Sequence, residues 1–217
     1  NGALYSNTTG NGNTAIGNFS LVSNITGGAN VAVGDFTLAS NDSSFNTAVG
    51  YAALSNVQDE QNSAVGAFAL SNSLGGFYNT ALGYAALNTS DFGFANTALG
   101  RAALASTTSG IFNTAAGFNS SVNNTTGGRN TSYGSYSLRT VTTGSFNTAI
   151  GDSADIATGA LFNTTTLGYQ ASTNISNSVR IGNTLVTSIG GQVGWSVLSD
   201  GRYKKDVNED VKGLDFI

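Results

Sequence analysis

The pentapeptide Asn13-Thr14-Ala15-Ile16-Gly17 returns along almost the whole chain, and the distance between its copies leaves few folds open. Its closing glycines are Gly17, Gly34, Gly50, Gly66, Gly83, Gly100, Gly117, Gly134, Gly151 and Gly168, spaced by 17, then twice by 16, then six times by 17 residues. A fixed period of this kind means one small unit stacked on its neighbours, because no single unit can bury its own apolar face. A large apolar residue precedes most of these glycines (Ile16, Val33, Val49, Val65, Leu82, Leu99, Tyr133, Ile150, Leu167), with Ala116 the small exception. Four residues after the glycine comes a second apolar column: Leu21, Leu38, Leu54, Leu70, Leu87, Leu104 and Leu138.

Each coil therefore reads as strand, turn, strand, loop. Alternation along the first strand puts Asn, Ala and Gly on one face and Thr with the large apolar residue on the other. Ile16, Val49, Leu82 and their column equivalents are expected to be buried. The second strand is expected around Ala52–Leu54. Loop glycines such as Gly27, Gly76, Gly93, Gly110, Gly127 and Gly144 are expected to supply positive φ. The two 16-residue coils lack such a glycine, which places their missing residue in the turn and leaves the strands in register. Residues 1–172 are thus expected to form about ten parallel β-coils, a rod on the order of 50 Å long at ~4.8 Å per coil.

Composition supports an all-β chain. Of 217 residues, 29 are Gly and none is Pro, Cys, Met or His, and only 9% are charged. The apolar residues are mostly small or β-branched and lie among Asn, Thr and Ser, a mixture that suits strands and turns. Without Cys or His, thiol and imidazole metal sites and imidazole catalysis are excluded, and neither a cofactor nor a metal is expected. The net charge of −4, with every Lys after residue 203, argues against nucleic-acid binding. No apolar run approaches the ~18 residues of a membrane span, so no membrane insertion is expected in this segment. The chain begins partway through a repeat, and a true N-terminus is expected upstream.

Three recurring columns invite functional readings. The Asn column (Asn13 to Asn147) reads either as a sugar-binding array or, preferably, as a structural ladder of stacked amides. The Thr column (Thr14, Thr47, Thr80, Thr97, Thr114, Thr131, Thr148) reads as strand packing or as an ice-binding face. Carboxylates do not form a column. Only Asp59–Glu60 and Asp152 with Asp155 are close in sequence, and glycoside cleavage, which needs two carboxylates flanking the bond, is not expected.

The pattern stops near the C-terminus. Residues 173–198 read as a connecting β segment. Residues 199–217 hold nine of the chain's 20 charged residues, and Val207, Val211 and Leu214 have helical spacing.

Two resemblances follow from these motifs. The NTAxG coils resemble the arrays of phage and bacterial tail-fibre-like proteins and the heads of trimeric autotransporter adhesins, although adhesin heads use a shorter coil. That resemblance implies a parallel β-roll, a homotrimer and an adhesive or spacer role outside the cell, on a virion tail or a cell surface. It also implies a surface glycan or protein as receptor. Ser199–Val207, SDGRYKKDV, looks like the opening of the intramolecular chaperone domain of phage tailspikes and endosialidases, continuing beyond Ile217. That family trimerises a fibre and commonly cuts itself off with a Ser-Lys dyad. Ser199 and Lys204 occupy the matching positions, which implies single-turnover cleavage near Leu198–Ser199–Asp200. The other reading of the same residues is a helix N-cap at Ser199 or Asp200 with solvated lysines.

Overall fold

The computed structural model describes residues 2–191. The chain divides into two compact units, Asn1–Leu185 and Val186–Ile217. Of the second unit residues 186–191 are described, and they carry neither strand nor helix. Every described strand lies in the first unit, and no helix occurs among the described residues.

The first unit is a β-solenoid of about ten turns. Eleven strands of three or four residues, from Thr14–Ile16 to Ser178–Ile181, form one parallel sheet in chain order. Like columns pair: Thr97 lies opposite Thr114, Ala98 opposite Ala115, Leu99 opposite Ala116. The 16-residue coils keep this register, with Val31 opposite Thr47 and Thr47 opposite Ser63. Their missing residue does fall in the loop. In a full coil the Asn24 amide reaches Gly27 three residues on, whereas Asn41 caps Ser43 only two residues on.

The core is thin. Its sheet side is the Ala column (Ala32, Ala48, Ala64, Ala81, Ala98, Ala115, Ala149), and its far side is the Leu column, both essentially inaccessible. The large apolar residues before the glycines are not core. Ile16 is 60% exposed, Leu82 44% and Val49 half-buried, against the expectation of burial. The reason is volume. The interior of a coil is filled by the Leu opposite the strand together with the buried residue three positions on, such as Asn24, Val57 or Val141, which leaves no room for the apolar residue before the glycine. Alternation then leaves Thr and the second apolar column pointing outward together.

The Ala52–Leu54 stretch is not a strand. It is a turn in which the residues two and four past the glycine adopt left-handed backbone, φ 52° at Ala52 and 51° at Leu54. This conformation costs ~1–2 kcal/mol per L-residue. Burying a Leu side chain contributes about 1.5–3 kcal/mol in return. The backbone also stays bonded between coils, with Leu54 N–H donating to the Ala69 carbonyl at 3.0 Å and Ala52 N–H to that of Asp35 at 2.9 Å. On this side, among the described residues, true strand pairs occur only at Asn56–Val57 with Asn72–Ser73 and at Asp155–Ile156 with Ser172–Thr173.

The glycines also serve a different end from the expected one. Positive φ belongs to the closing glycines, as at Gly100 with φ +126°. The loop glycines are small because of crowding: a Cβ on Gly110 would sit 2.5 Å from the Gly127 carbonyl oxygen. The Ala column is broken at two rungs, by Ser132 and by Thr166 opposite Ala149. Ser132 replaces the column Ala and joins Ser120, Ser121 and Ser137 in a buried hydroxyl network with contacts of 2.6–2.9 Å. This network separates a long apolar cluster ending at Ala115 from a shorter one around Leu138, Val141 and Ile156.

Candidate interaction surface

The Asn ladder is structural. The Asn96 amide N–H donates to Asn79 Oδ1 at 3.0 Å, its Nδ2 donates to the Gly110 carbonyl at 2.8 Å, and its Oδ1 accepts from Asn113 N–H at 2.9 Å. The same pattern runs from Asn13 to Asn147. These side chains are buried and their polar atoms are engaged along the stack, so they form no sugar-binding array.

The outward side of the sheet is different. Its two columns run from Thr14 and Ile16 to Thr165 and Leu167, and neither contains a charged residue. Most of the Thr residues and most of the apolar partners are exposed. The apolar column is uneven, with Ala116 beside Tyr133.

Aromatic ladders line both ends of the strands. The ladder before the Asn includes Phe45, Tyr78, Phe112 and Phe146. Phe77 and Phe94 stack at 5.0 Å, Phe94 meets Phe112 edge-on at 5.2 Å, and the Arg129 guanidinium lies between Phe112 and Phe146 at 5.3 and 5.6 Å. The ladder after the glycine was missed in the sequence because its rings alternate between the first and second positions after Gly. It runs Phe19, Phe36, Tyr51, Phe68 and Tyr84 with centroids 5.3–6.0 Å apart. Arg101 then bridges Tyr84 and Phe118 at 5.6 and 5.3 Å. Such ring pairs contribute about 0.5–1.5 kcal/mol beyond their burial.

The carboxylates are dispersed. Asp42 accepts backbone bonds from Ile25, Thr26 and Gly27, which hold its carboxyl below the usual range. Burial pushes the Asp59 carboxyl up, and Asp59 and Glu60 line a small cleft beside Phe77 and Tyr78. Asp152 accepts a bond from the Ser153 hydroxyl, while Asp155 lines a separate cleft. Among the described residues no group of three or more acidic side chains could hold a metal ion, and no helix is long and apolar enough to cross a membrane. Ser199 and Lys204 lie outside the described residues. Comparison with protein families, curated proteins and solved structures finds no match.

Proposed function

We propose that the chain is the rod of a homotrimeric extracellular fibre, on a virion tail or a cell surface, that carries receptor-binding loops. The observation that supports this best is the charge-free strip of Thr and apolar side chains along the whole sheet. At ~3.3 Å per residue and ~4.8 Å per strand, its three-residue strands make it roughly 50 by 10 Å. That is about 500 Å² per chain, the scale of the largest exposed patches on monomers, which are often functional. Exposed apolar patches of this size mark association surfaces. A partner that meets such a strip along its full length needs the same rise per coil, and another copy of the chain has it. The loops, for instance Gln58–Gln61 against Thr125–Arg129, change from coil to coil while the scaffold does not, which suits recognition of a glycan or protein receptor.

Sedimentation of the chain tests this reading. A trimer has three times the 21.9 kDa of one chain, and a stable monomer at micromolar concentration overturns the proposal. The assembly step is proposed for residues 199–217 and their continuation. In a full-length protein, release of a C-terminal fragment in wild type but not in Ser199→Ala or Lys204→Ala supports the dyad, and three identical intact bands leave the N-cap reading.

A second reading, ice binding, is favoured by the exposed in-register Thr column. The step from Ala116 to Tyr133 roughens the face, which a packing partner accommodates and a flat lattice does not. Thermal hysteresis at monomeric concentrations separates the two.

A further inference from the structure

The coil after Gly151 breaks the turn pattern, and the break builds a cleft. In the coils from Gly17 to Gly134 the fourth residue past the glycine has left-handed backbone and points into the core, with Leu or, once, Ser121. After Gly151 that residue is Asp155, which begins a short strand instead. Ile156 takes the core position, and Asp155 turns toward the surface. In the coil after Gly151 the two ladder positions hold Asp152 and Ser153, so no ring follows Tyr136 on the next rung, and the next ring at a ladder position is Tyr169. Losing one ring and turning one side chain outward leaves a cleft of about 490 Å³ lined by Tyr136, Arg139, Asp155, Gln170 and Ser172. A smaller hollow of about 200 Å³ shares Gln170 and Ser172 and extends to Arg180 and Asn183. The larger space alone falls in the roughly 300–1,000 Å³ range of small-molecule sites.

The polar groups in this cleft are pre-set. Thr140 donates its N–H to both Asp155 oxygens at 3.1 Å and its hydroxyl to Oδ2 at 2.7 Å, and Ile156 N–H donates to Oδ1 at 2.8 Å. Burial raises the Asp155 carboxyl, and these bonds and the nearby Arg139 charge oppose the rise. The Arg139 guanidinium rests 5.6 Å from the Tyr136 ring centre. Four arginines precede residue 199. Arg101 and Arg129 are sandwiched in the ladders, whereas Arg139 lines the larger cleft and Arg180 the smaller hollow that adjoins it. Among the described residues no ion pair takes up either guanidinium. Arg180 spends one donor on the Gly182 carbonyl. With the carboxylate already bonded and two guanidiniums available, the groove favours an anionic ligand over a neutral one. Asp155, Gln170 and Ser172 add acceptors and donors suited to hydroxyl groups.

We propose that the groove from Tyr136 to Asn183 binds an acidic saccharide, a sugar unit whose carboxylate is held by Arg139 and Arg180 and whose hydroxyls meet Asp155, Gln170 and Ser172. This rests on the adhesive reading above and names the chemistry of one receptor site. The test is titration of the whole chain with a glucuronate-containing disaccharide, followed by calorimetry, beside a neutral disaccharide of the same size. The expected result is saturable binding of the acidic sugar, at least tenfold weaker in Arg139→Ala and in Asp155→Asn, and at least tenfold weaker for the neutral sugar. Thermal melting of each variant confirms that the fold is kept, and Arg180→Ala provides a second variant outside the turn after Gly151. Equal binding of both sugars overturns the charge assignment. No binding, or binding unaffected by Arg139→Ala and Arg180→Ala, overturns the site. A trimer that fails this titration sinks the groove alone, whereas a monomer that passes it sinks the fibre and leaves the groove.

Discussion

The two sides of each coil carry the same repeat but obey different rules. Among the described residues the sheet side runs unbroken for eleven strands, whereas the Leu side forms strands in only two short pairs. On the sheet side most rungs are fixed three ways: by backbone pairing, by the Asn ladder and by a glycine too crowded to replace. On the Leu side the backbone sits in a costly left-handed conformation held by a buried Leu. The lesson is that a solenoid concentrates its tolerance. Irregularities collect where one side chain, not a ladder, sets the conformation. The outward turn of Asp155 and the cleft it opens lie on the Leu side.

This contrast can be broken at graded cost. The largest effect is expected for Gly100→Ala on the sheet side. A Cβ there lies 2.5 Å from the Gly117 carbonyl oxygen on a backbone at φ +126°. A loss of about 4 kcal/mol is expected, measured by denaturant unfolding, since overpacking and left-handed strain add. Ala102→Gly, two residues on at φ 53°, is the counter-test, with no loss expected because Gly accepts that backbone freely. Asn96→Ala comes next. It strands the Asn113 N–H and the Gly110 carbonyl, and at ~1–3 kcal/mol per unpaired buried group a total near 3 kcal/mol is expected.

The apolar columns sharpen the comparison further. Leu87→Ala, in the inaccessible column, is expected to cost about 2–5 kcal/mol in unfolding. Leu82→Ala, in the outward column, is expected to stay within about 1 kcal/mol for the isolated chain and to weaken self-association instead. Equal losses at both positions would place a core on each side of the strand and remove the basis for the interface.

The smallest expected effect is on pH dependence. Burial raises the folded-state carboxyls of Asp59 and Asp155, so as pH falls from neutral toward the unfolded value near 3.9 the native state takes up protons first. Stability contributed by these two groups should therefore rise on mild acidification, and Asp59→Asn with Asp155→Asn should remove the rise in melting temperature. Asp42 has the opposite sign. Its carboxyl is lowered, so its contribution is present above about 3.9 and lost as pH falls below that value.

The sequence by itself determined the solenoid, its parallel register, the placement of the short coils' deletion and the structural Asn ladder. These follow from period and alternation, which a stacked fold must respect rung by rung. Tertiary structure alone decided which apolar column is core. Ile16 and Leu21 are equally hydrophobic in sequence, and only the interior volume of a coil shows that the turn-borne Leu and the residue three positions on fill the space. The left-handed backbone at Leu54 was hidden for the same reason, because propensity disfavours it and only burial and inter-coil bonding hold it. The groove beside Asp155 was hidden more deeply. Tyr136, Arg139, Asp155 and Gln170 lie 34 residues apart from first to last and meet only because stacking brings residues about 17 apart onto neighbouring rungs.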